Sequence, residues 1–348
     1  MNGLTVTLPG LLAFAVVMNV IAGWTTDGGA GVCRSDMDTL PLTYGFLLLF
    51  TVAMNVLAWP EASRFISSIR EDGGEDMQIP FSTALITGSS RGIGRAIAVK
   101  LAREGVHKIA VHYNTRKEEA ETTLSQLSDA GATGVLVQGD ISEAAVAENL
   151  VKEAAEKLGG CDIFFQSVIP PLEHIYEHTL STEVPLAKWQ LAFDTQARAF
   201  FVCARTAAQY MTRGGRILAL SYTPGGRTGS WQPWVGIGAA KAALDSLCRY
   251  FAVALGRQGI TVNTVSPGCC DETTVLGQTP QAVQEALKNW AEAGWTPMRR
   301  LDTPADIADV CALLCSEEAR FLTGQTISVD GGNSLMNPDF PLALQVPA

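Results

Sequence analysis

Basic charge is scarce in this sequence, and histidine scarcer: 25 Lys and Arg stand against 35 Asp and Glu, a net charge of −10, with 4 histidines in 348 residues. Phosphate backbones are bound by clustered Lys and Arg. No basic block or aromatic-basic interleaving occurs, so a nucleic-acid partner is excluded. The 8 cysteines (Cys33, Cys161, Cys203, Cys248, Cys269, Cys270, Cys311 and Cys315) form no CxxC pair, which removes zinc and thioredoxin-like arrangements of that kind. Cys311 and Cys315 share one face of a predicted helix and read as buried apolar residues, and the whole set reads as reduced thiols. A literal metal pattern, His174-Ile-Tyr-Glu-His178, needs a helix and a distant third ligand. It follows Pro170-Pro171 and reads instead as a wall of a substrate cleft, so no metal is expected.

Charge is missing altogether from residues 1–26 and 39–60. Each stretch is long enough, at roughly 20 residues, to cross a bilayer as a helix. The two echo each other in Val17-Met-Asn-Val-Ile-Ala-Gly-Trp24 and Ala53-Met-Asn-Val-Leu-Ala-Trp59, with Trp24 and Trp59 suited to an interface. The loop between them is acidic (Asp27, Asp36, Asp38 against Arg34), whereas Arg64 and Arg70 follow the second. That bias predicts an outside loop and a cytoplasmic main domain anchored through residues 1–60. A cleaved signal peptide lacks its basic n-region here. Two other readings stay open: apolar helices packed on the domain or a partner, and translation that starts at Met77. In every version the acidic, Gly-rich run 71–76 is a linker, residues 77–336 are the main domain, and 337–348 are a tail.

In that main domain, Thr83-Ala-Leu-Ile-Thr87 is a short β-rich run. Gly88-Ser-Ser-Arg-Gly-Ile-Gly94 follows, and then an amphipathic helix to about Glu104. Strand, glycine turn and helix in that order set backbone N–H groups and a helix N-terminus around a pyrophosphate. Downstream, Gly139-Asp140-Ile141 closes a third strand, and Gly259-Ile-Thr-Val-Asn-Thr-Val-Ser-Pro-Gly268 is a sixth. Thr303-Pro-Ala-Asp-Ile307 reads as an N-cap, a Pro at N1 and an acid in the first turn. Leu322-Thr-Gly-Gln-Thr-Ile-Ser-Val-Asp-Gly-Gly332 is the last strand.

The TGxxxGxG spacing and the motifs after it, spanning about 250 residues from Phe81 to Gly332, resemble the short-chain dehydrogenase/reductase family. The resemblance implies an α/β fold, a Rossmann-like doubly wound parallel sheet with helices on both faces, here preceded by an apolar N-terminal segment. It places Gly88, Ser90, Arg91, Gly92, Ile93 and Gly94 around the cofactor phosphates, Asp140 and Ile141 beside the adenine, and Pro267 and Gly268 near the nicotinamide. An NAD site carries an acid about 20 residues after the glycines, to accept from the ribose 2′-OH. Counting from Gly94 lands on His112-Tyr-Asn114-Thr-Arg116, without an acid. Arg91 and Arg116, beside Asn114, suit a 2′-phosphate instead, so NADP(H) is favoured over NAD(H).

The family usually works with a Tyr four residues before a Lys, assisted by a Ser and an Asn. Lys241, in Gly238-Ala-Ala-Lys-Ala-Ala-Leu244, matches the Lys and would also hold the cofactor ribose, but Ile237 stands in place of the Tyr. The enoyl-[acyl-carrier-protein] reductases of the family space their Tyr seven before the Lys and often carry a second Tyr at the Ser position. The Ser221-Tyr222 pair is similar to theirs, as is Cys248-Arg-Tyr-Phe-Ala-Val-Ala-Leu255, but Trp234 stands seven before Lys241. Indole donates a hydrogen bond and does not titrate, which leaves Tyr222 as the nearby phenol. Ser221, Tyr222, Trp234 and Lys241 are therefore the expected catalytic group. Two further departures, Gln166 in Gln166-Ser-Val-Ile169 and Gln196 where an Asn is usual, put ordinary alcohol/ketone chemistry in doubt.

Trp231, Trp234, Trp290, Trp295 and Met298 line either an apolar substrate cleft or a subunit interface; the two readings weigh equally. The resemblance implies a homo-oligomer, dimer or tetramer, on helices around 196–211 and 238–256. The expected function is an NADP(H)-dependent reductase of an apolar small-molecule or acyl-carrier substrate, an enoyl- or oxoacyl thioester or a polyketide. Two alternatives stand beside it: a nucleotide-binding scaffold or sensor without turnover, and a dehydratase or isomerase that uses the nucleotide only structurally.

Overall fold

The computed structural model describes residues 79–176, 178–212, 214–222 and 232–336. The expected membrane hairpin, the linker, a start at Met77, the tail from 337 and Trp231 all lie outside those residues. Among the described residues no helix is long and apolar enough to cross a membrane.

Seven strands form one sheet: β1 (Thr83–Thr87), β2 (Lys108–Tyr113), β3 (Thr133–Gln138), β4 (Ile163–Gln166), β5 (Gly215–Leu220), β6 (Ile260–Pro267) and β7 (Thr326–Val329). Their order is β3-β2-β1-β4-β5-β6-β7, and every neighbouring pair is parallel. The longer helices are α1 (Gly92–Arg103), α2 (Lys117–Asp129), α3 (Ala144–Leu158), α4, α5 (Val235–Leu255), α6 (Gln281–Trp290) and α7 (Pro304–Cys315). Helix α4 runs from Leu186–Phe193 through a π-helical turn, Asp194–Arg198, into Ala199–Ala207.

A parallel sheet needs crossover helices, and these cover both faces. The central strands are therefore apolar at successive positions, and alternate side chains enter different cores. Leu85, Phe164 and Ile217 join α3, α4 and α5 in one core through Leu150, Phe200 and Leu244. Ala84, Ile86, Phe165 and Leu218 join α1 and α7 in the other through Ile97, Leu101 and Ile307. Cys311 and Cys315 are buried in that second core, as their spacing implied. Thr303 caps α7 in a full capping box with Asp306, and Pro304 follows as its first residue.

One boundary differs from the sequence reading. β3 ends at Gln138 rather than at Ile141. Asp140 instead accepts from the Ser142 N–H at 2.9 Å in a local turn, and Ile141 is buried in the first core. The strand order reverses between β1 and β4, so the crevice outside their carboxyl ends is where an α/β sheet binds its ligand.

Candidate active site

The candidate site lies on loops that follow the strands at the carboxyl end of the sheet. After β1 comes the glycine turn, where Gly88 and Gly92 hold φ of +71° and +55°, a conformation glycine adopts without steric cost. A Cβ on Gly94 would lie 2.4 Å from the Gly88 carbonyl oxygen, whereas one on Gly92 meets nothing within 4 Å. The turn is thus closed on its protein side and open at the start of α1. No side chain caps that helix, so its first N–H groups face outward as an anion cradle. The residues present fit a dinucleotide pyrophosphate.

The turn is braced from below. Thr123 Oγ1 donates to the Ser89 and Ser90 carbonyls at 3.0 and 3.1 Å, and Arg95 Nε donates to the Ser90 carbonyl at 3.1 Å. His112, at the end of β2, accepts from the Gly88 N–H at 3.0 Å through Nδ1. Its Nε2 lies 2.9 Å from the Gly139 carbonyl, which fixes the Nε2–H tautomer. Burial pushes this imidazole down to about 4, against the hydrogen bond to Gly139 and the charge of Asp140.

A buried neutral histidine couples folding to pH. Its folded value lies below the unfolded 6.5, so its stabilisation is complete above about 6.5 and is lost as pH falls towards 4. The drop corresponds to about 3 kcal/mol. Urea denaturation is expected to show a loss of that order between those pH values, and His112→Gln is expected to flatten it. Equal slopes in both proteins would remove His112 as the cause.

Just after β2, Asn114 is exposed, and its carbonyl accepts from Gln138 Nε2 at 3.0 Å. Arg91 and Arg116 stand at the N-caps of α1 and α2. Both turn towards Glu119, at 3.5 and 3.0 Å.

At the other end, Ser221 and Tyr222 follow β5, Trp234 is the N-cap of α5, and Lys241 stands in its second turn. Of the four residues expected to form the catalytic group, the structure brings the rings of Tyr222 and Trp234 together. The Lys241 ammonium, buried, donates to the Leu220 carbonyl at 2.5 Å. Burial pulls it down to about 8, partly opposed by the Asp245 carboxylate. Ser221 turns inward and donates to Asp245 at 2.9 Å, which also accepts from Thr264 at 2.8 Å. Trp234 is buried, with its ring 6.3 Å from Tyr222 and 5.9 Å from Tyr176, in a cluster with Ile175, Ala192 and Ile237. Burial, with a smaller contribution from Cys269, pushes the Tyr222 phenol up to about 12. It therefore stays protonated at neutral pH.

The two glutamines that replace the family's usual asparagines are tied together. Gln166 Nε2 donates to the Gln196 main-chain carbonyl at 2.9 Å, in the π-helical turn. Gln196 Nε2 returns to the Val168 carbonyl at 3.0 Å. At the end of β6, the Gly268 N–H donates to Asp302 at 2.6 Å, and burial raises that carboxyl to about 7. His174 is exposed in the helical turn Leu172–Ile175, while Glu177 lies outside the described residues. Among those residues no group of three potential metal ligands gathers. Trp290 and Trp295 stack at 5.7 Å, with Trp290 62% exposed.

Sequence reasoning missed His112, Glu119, Asp245 and Asp302. Asp245 carried the clearest signal: an acid one helical turn after Lys241, on a largely apolar helix.

Residues 88–334 match the family model described as enoyl-(acyl carrier protein) reductase. The chain is 33% identical over 268 residues to a 1-cyclohexenylcarbonyl-CoA reductase of Streptomyces collinus, covering 74% of this chain and 88% of that one. It is 32% identical over 252 residues to a 3-oxoacyl-[acyl-carrier-protein] reductase of Staphylococcus aureus, covering 72% and 97%. A dehydrogenase/reductase of Sinorhizobium meliloti superposes with a TM-score of 0.65 at 32% identity, covering 72% and 94%.

Proposed function

Since the chain belongs to the short-chain dehydrogenase/reductase family, we propose that it is an NADPH-dependent reductase of an apolar enoyl or oxoacyl thioester or a polyketide-like ketone. Relatives named as reductases of acyl-CoA and acyl-carrier-protein thioesters support the substrate class. Arg91 and Arg116 at the adenosine end support the 2′-phosphorylated cofactor. With its pyrophosphate held in the cradle, NADPH would supply the hydride. The stacked Trp290 and Trp295 and the exposed Met298 suit an apolar wall for the acyl part. The reading includes a homodimer or tetramer on α4 and α5, where Phe201, Tyr250 and Val253 stand exposed.

Tyr222 carries the reading. A phenol held near 12 cannot act as a base at neutral pH, but it donates a hydrogen bond throughout the working range. A thioester carbonyl that gains negative charge as hydride adds needs such a donor. Trp234, packed in its aromatic cluster, shapes the wall behind that phenol. Lys241, fixed on the Leu220 carbonyl, supplies positive charge beside it and holds the ribose.

NADPH oxidation followed at the nicotinamide absorbance band, with a panel of enoyl and oxoacyl thioesters and aromatic ketones, is the direct test. Turnover is expected, with Tyr222→Phe lowering kcat/KM by about a hundredfold, the worth of one oxyanion donor, and leaving NADPH affinity unchanged. Trp234→Phe is expected to stay within about tenfold. Tight NADPH binding without oxidation of any member of the panel would overturn the reductase reading. Full activity in Tyr222→Phe would overturn the role of the phenol.

A further inference from the structure

Two helices of this domain carry an arginine at the N-cap. Helix α1 starts at Arg91 with no acid in its first turn, and α2 starts at Arg116. Each places a cation at the end of a helix dipole that already carries partial positive charge. Arg95 adds a third guanidinium: partial burial, opposed by the Glu119 charge and aided by the charges of Arg116 and Arg95, holds Arg91 below its ordinary value. Against this charge the first turn of α2 carries Glu118 and Glu119, and it is Glu119 that pairs with Arg91 and Arg116.

Glu119 serves both N-cap arginines, one oxygen to each. Oε1 takes Arg116 at 3.0 Å, and Oε2 faces Arg91 Nε at 3.5 Å. The second contact is too long for a hydrogen bond of normal strength. Oε2 is shielded from solvent and lacks a hydrogen-bond partner among the described residues. Such an oxygen is stabilised neither by water nor by a good donor. Its carboxylate is thus a poor counter-ion for a corner that has charge to spare. A phosphate brings more oxygens and about two negative charges, and it matches the planar fork of each guanidinium.

We propose that Glu119 is a displaceable counter-ion that competes with the cofactor's 2′-phosphate for Arg91 and Arg116, and so sets how strongly the site prefers NADPH over NADH. The assignment rests on the cofactor reading above and goes beyond it. The arginines supply the attraction, and Glu119 sets its size. When the phosphate docks, the carboxylate releases both arginines and turns to solvent, and the cost of that release is subtracted from the phosphate's binding energy. A nucleotide without the 2′-phosphate leaves the ion pairs in place and incurs no such cost. The backbone is not involved: the Glu119 carbonyl accepts from Arg95 at 2.9 Å, whatever the side chain.

The test is calorimetric, on the full chain at fixed ionic strength. Adenosine 2′,5′-bisphosphate and adenosine 5′-monophosphate differ by the 2′-phosphate, and neither carries hydride. Glu119→Gln is expected to tighten the bisphosphate about tenfold and to leave the monophosphate within about twofold; NADPH and NADH are expected to follow the same pattern. Glu119→Ala is expected to repeat it, and Arg116→Ala to erase the preference. An unchanged or weakened bisphosphate affinity in both Glu119 variants overturns the role of Glu119 while leaving the cofactor reading in place. An equal shift of both nucleotides overturns it as well. If the unaltered chain binds neither fragment nor either whole cofactor, the nucleotide reading itself fails, and Glu119 with it.

Discussion

Gly94→Ala is expected to abolish nicotinamide-nucleotide binding, with a loss of affinity of about 10³ or more. The added Cβ would sit 2.4 Å from the Gly88 carbonyl oxygen, 2.9 Å from its carbonyl carbon and 3.0 Å from Ser89 Cα. All three are backbone atoms of the turn, so no flexible side chain can yield. The turn must open, and overpacking of this kind costs about 1–3 kcal/mol of stability. Opening also misaims the N–H groups at the start of α1. Losing two charge-assisted hydrogen bonds to a pyrophosphate, each worth about 2 kcal/mol, accounts for the thousandfold. Gly92→Ala separates the two effects. Its Cβ meets no protein atom, so it strains only φ, by about 1–2 kcal/mol, but it projects into the open side of the cradle. Both variants are expected to lose NADPH binding by calorimetry, whereas Gly94→Ala is expected to be the less stable to urea. Wild-type affinity in Gly94→Ala would show that the glycine turn does not hold the pyrophosphate.

The first strand and the glycine turn were legible because they rest on local signals. Thr83-Ala-Leu-Ile-Thr87 is apolar at every inner position because both of its faces are covered. In the turn after it, Gly94 meets the turn's own backbone, Gly88 meets that of Ser167 and Val168, and Gly92 takes a positive φ. The boundary of β3 was misread for a related reason: Ile141 is apolar and continues the strand's pattern, but it packs against the other core elements after a turn held by Asp140. Site polarity was harder, because its partners are far apart in the chain. His112 drew notice only as the lack of an acid. Its use appears when Gly88 and Gly139 are brought to either side of the ring. Gln166 and Gln196 looked like two separate losses of asparagine. In the fold they are one device, each amide holding backbone of the other's neighbourhood at the π-helical turn. Ser221 was expected to assist catalysis, and its hydroxyl is instead directed into the protein, to Asp245.

Lys241→Met is expected to remove turnover while making the protein more stable. A drop from 10.5 to about 8 in the buried ammonium corresponds to about 3 kcal/mol by which native packing disfavours the charge. The sign follows from linkage. Between about 8 and 10.5 the unfolded chain holds a proton that the folded chain has released. Stability attributable to this group therefore rises with pH across that window, and at pH 7 the full cost is present. Methionine has similar length and no charge, and it gives up the bond to the Leu220 carbonyl, worth about 1 kcal/mol. The net gain at pH 7 is then about 1–2 kcal/mol, a rise of a few degrees in Tm. Activity runs the other way. With the ammonium as the charge beside Tyr222, its loss is expected to lower kcat/KM by about 10³–10⁴. In the unaltered protein kcat/KM is expected to fall as pH rises through about 8. Urea denaturation at pH 7 and above pH 9, alongside the turnover assay, checks both halves. A Lys241→Met protein that is less stable than the parent at pH 7 would mean that the lysine is held there by packing and hydrogen bonding alone. A variant that is more stable and inactive would mean that the chain keeps a buried, unfavourable charge for the reaction's sake.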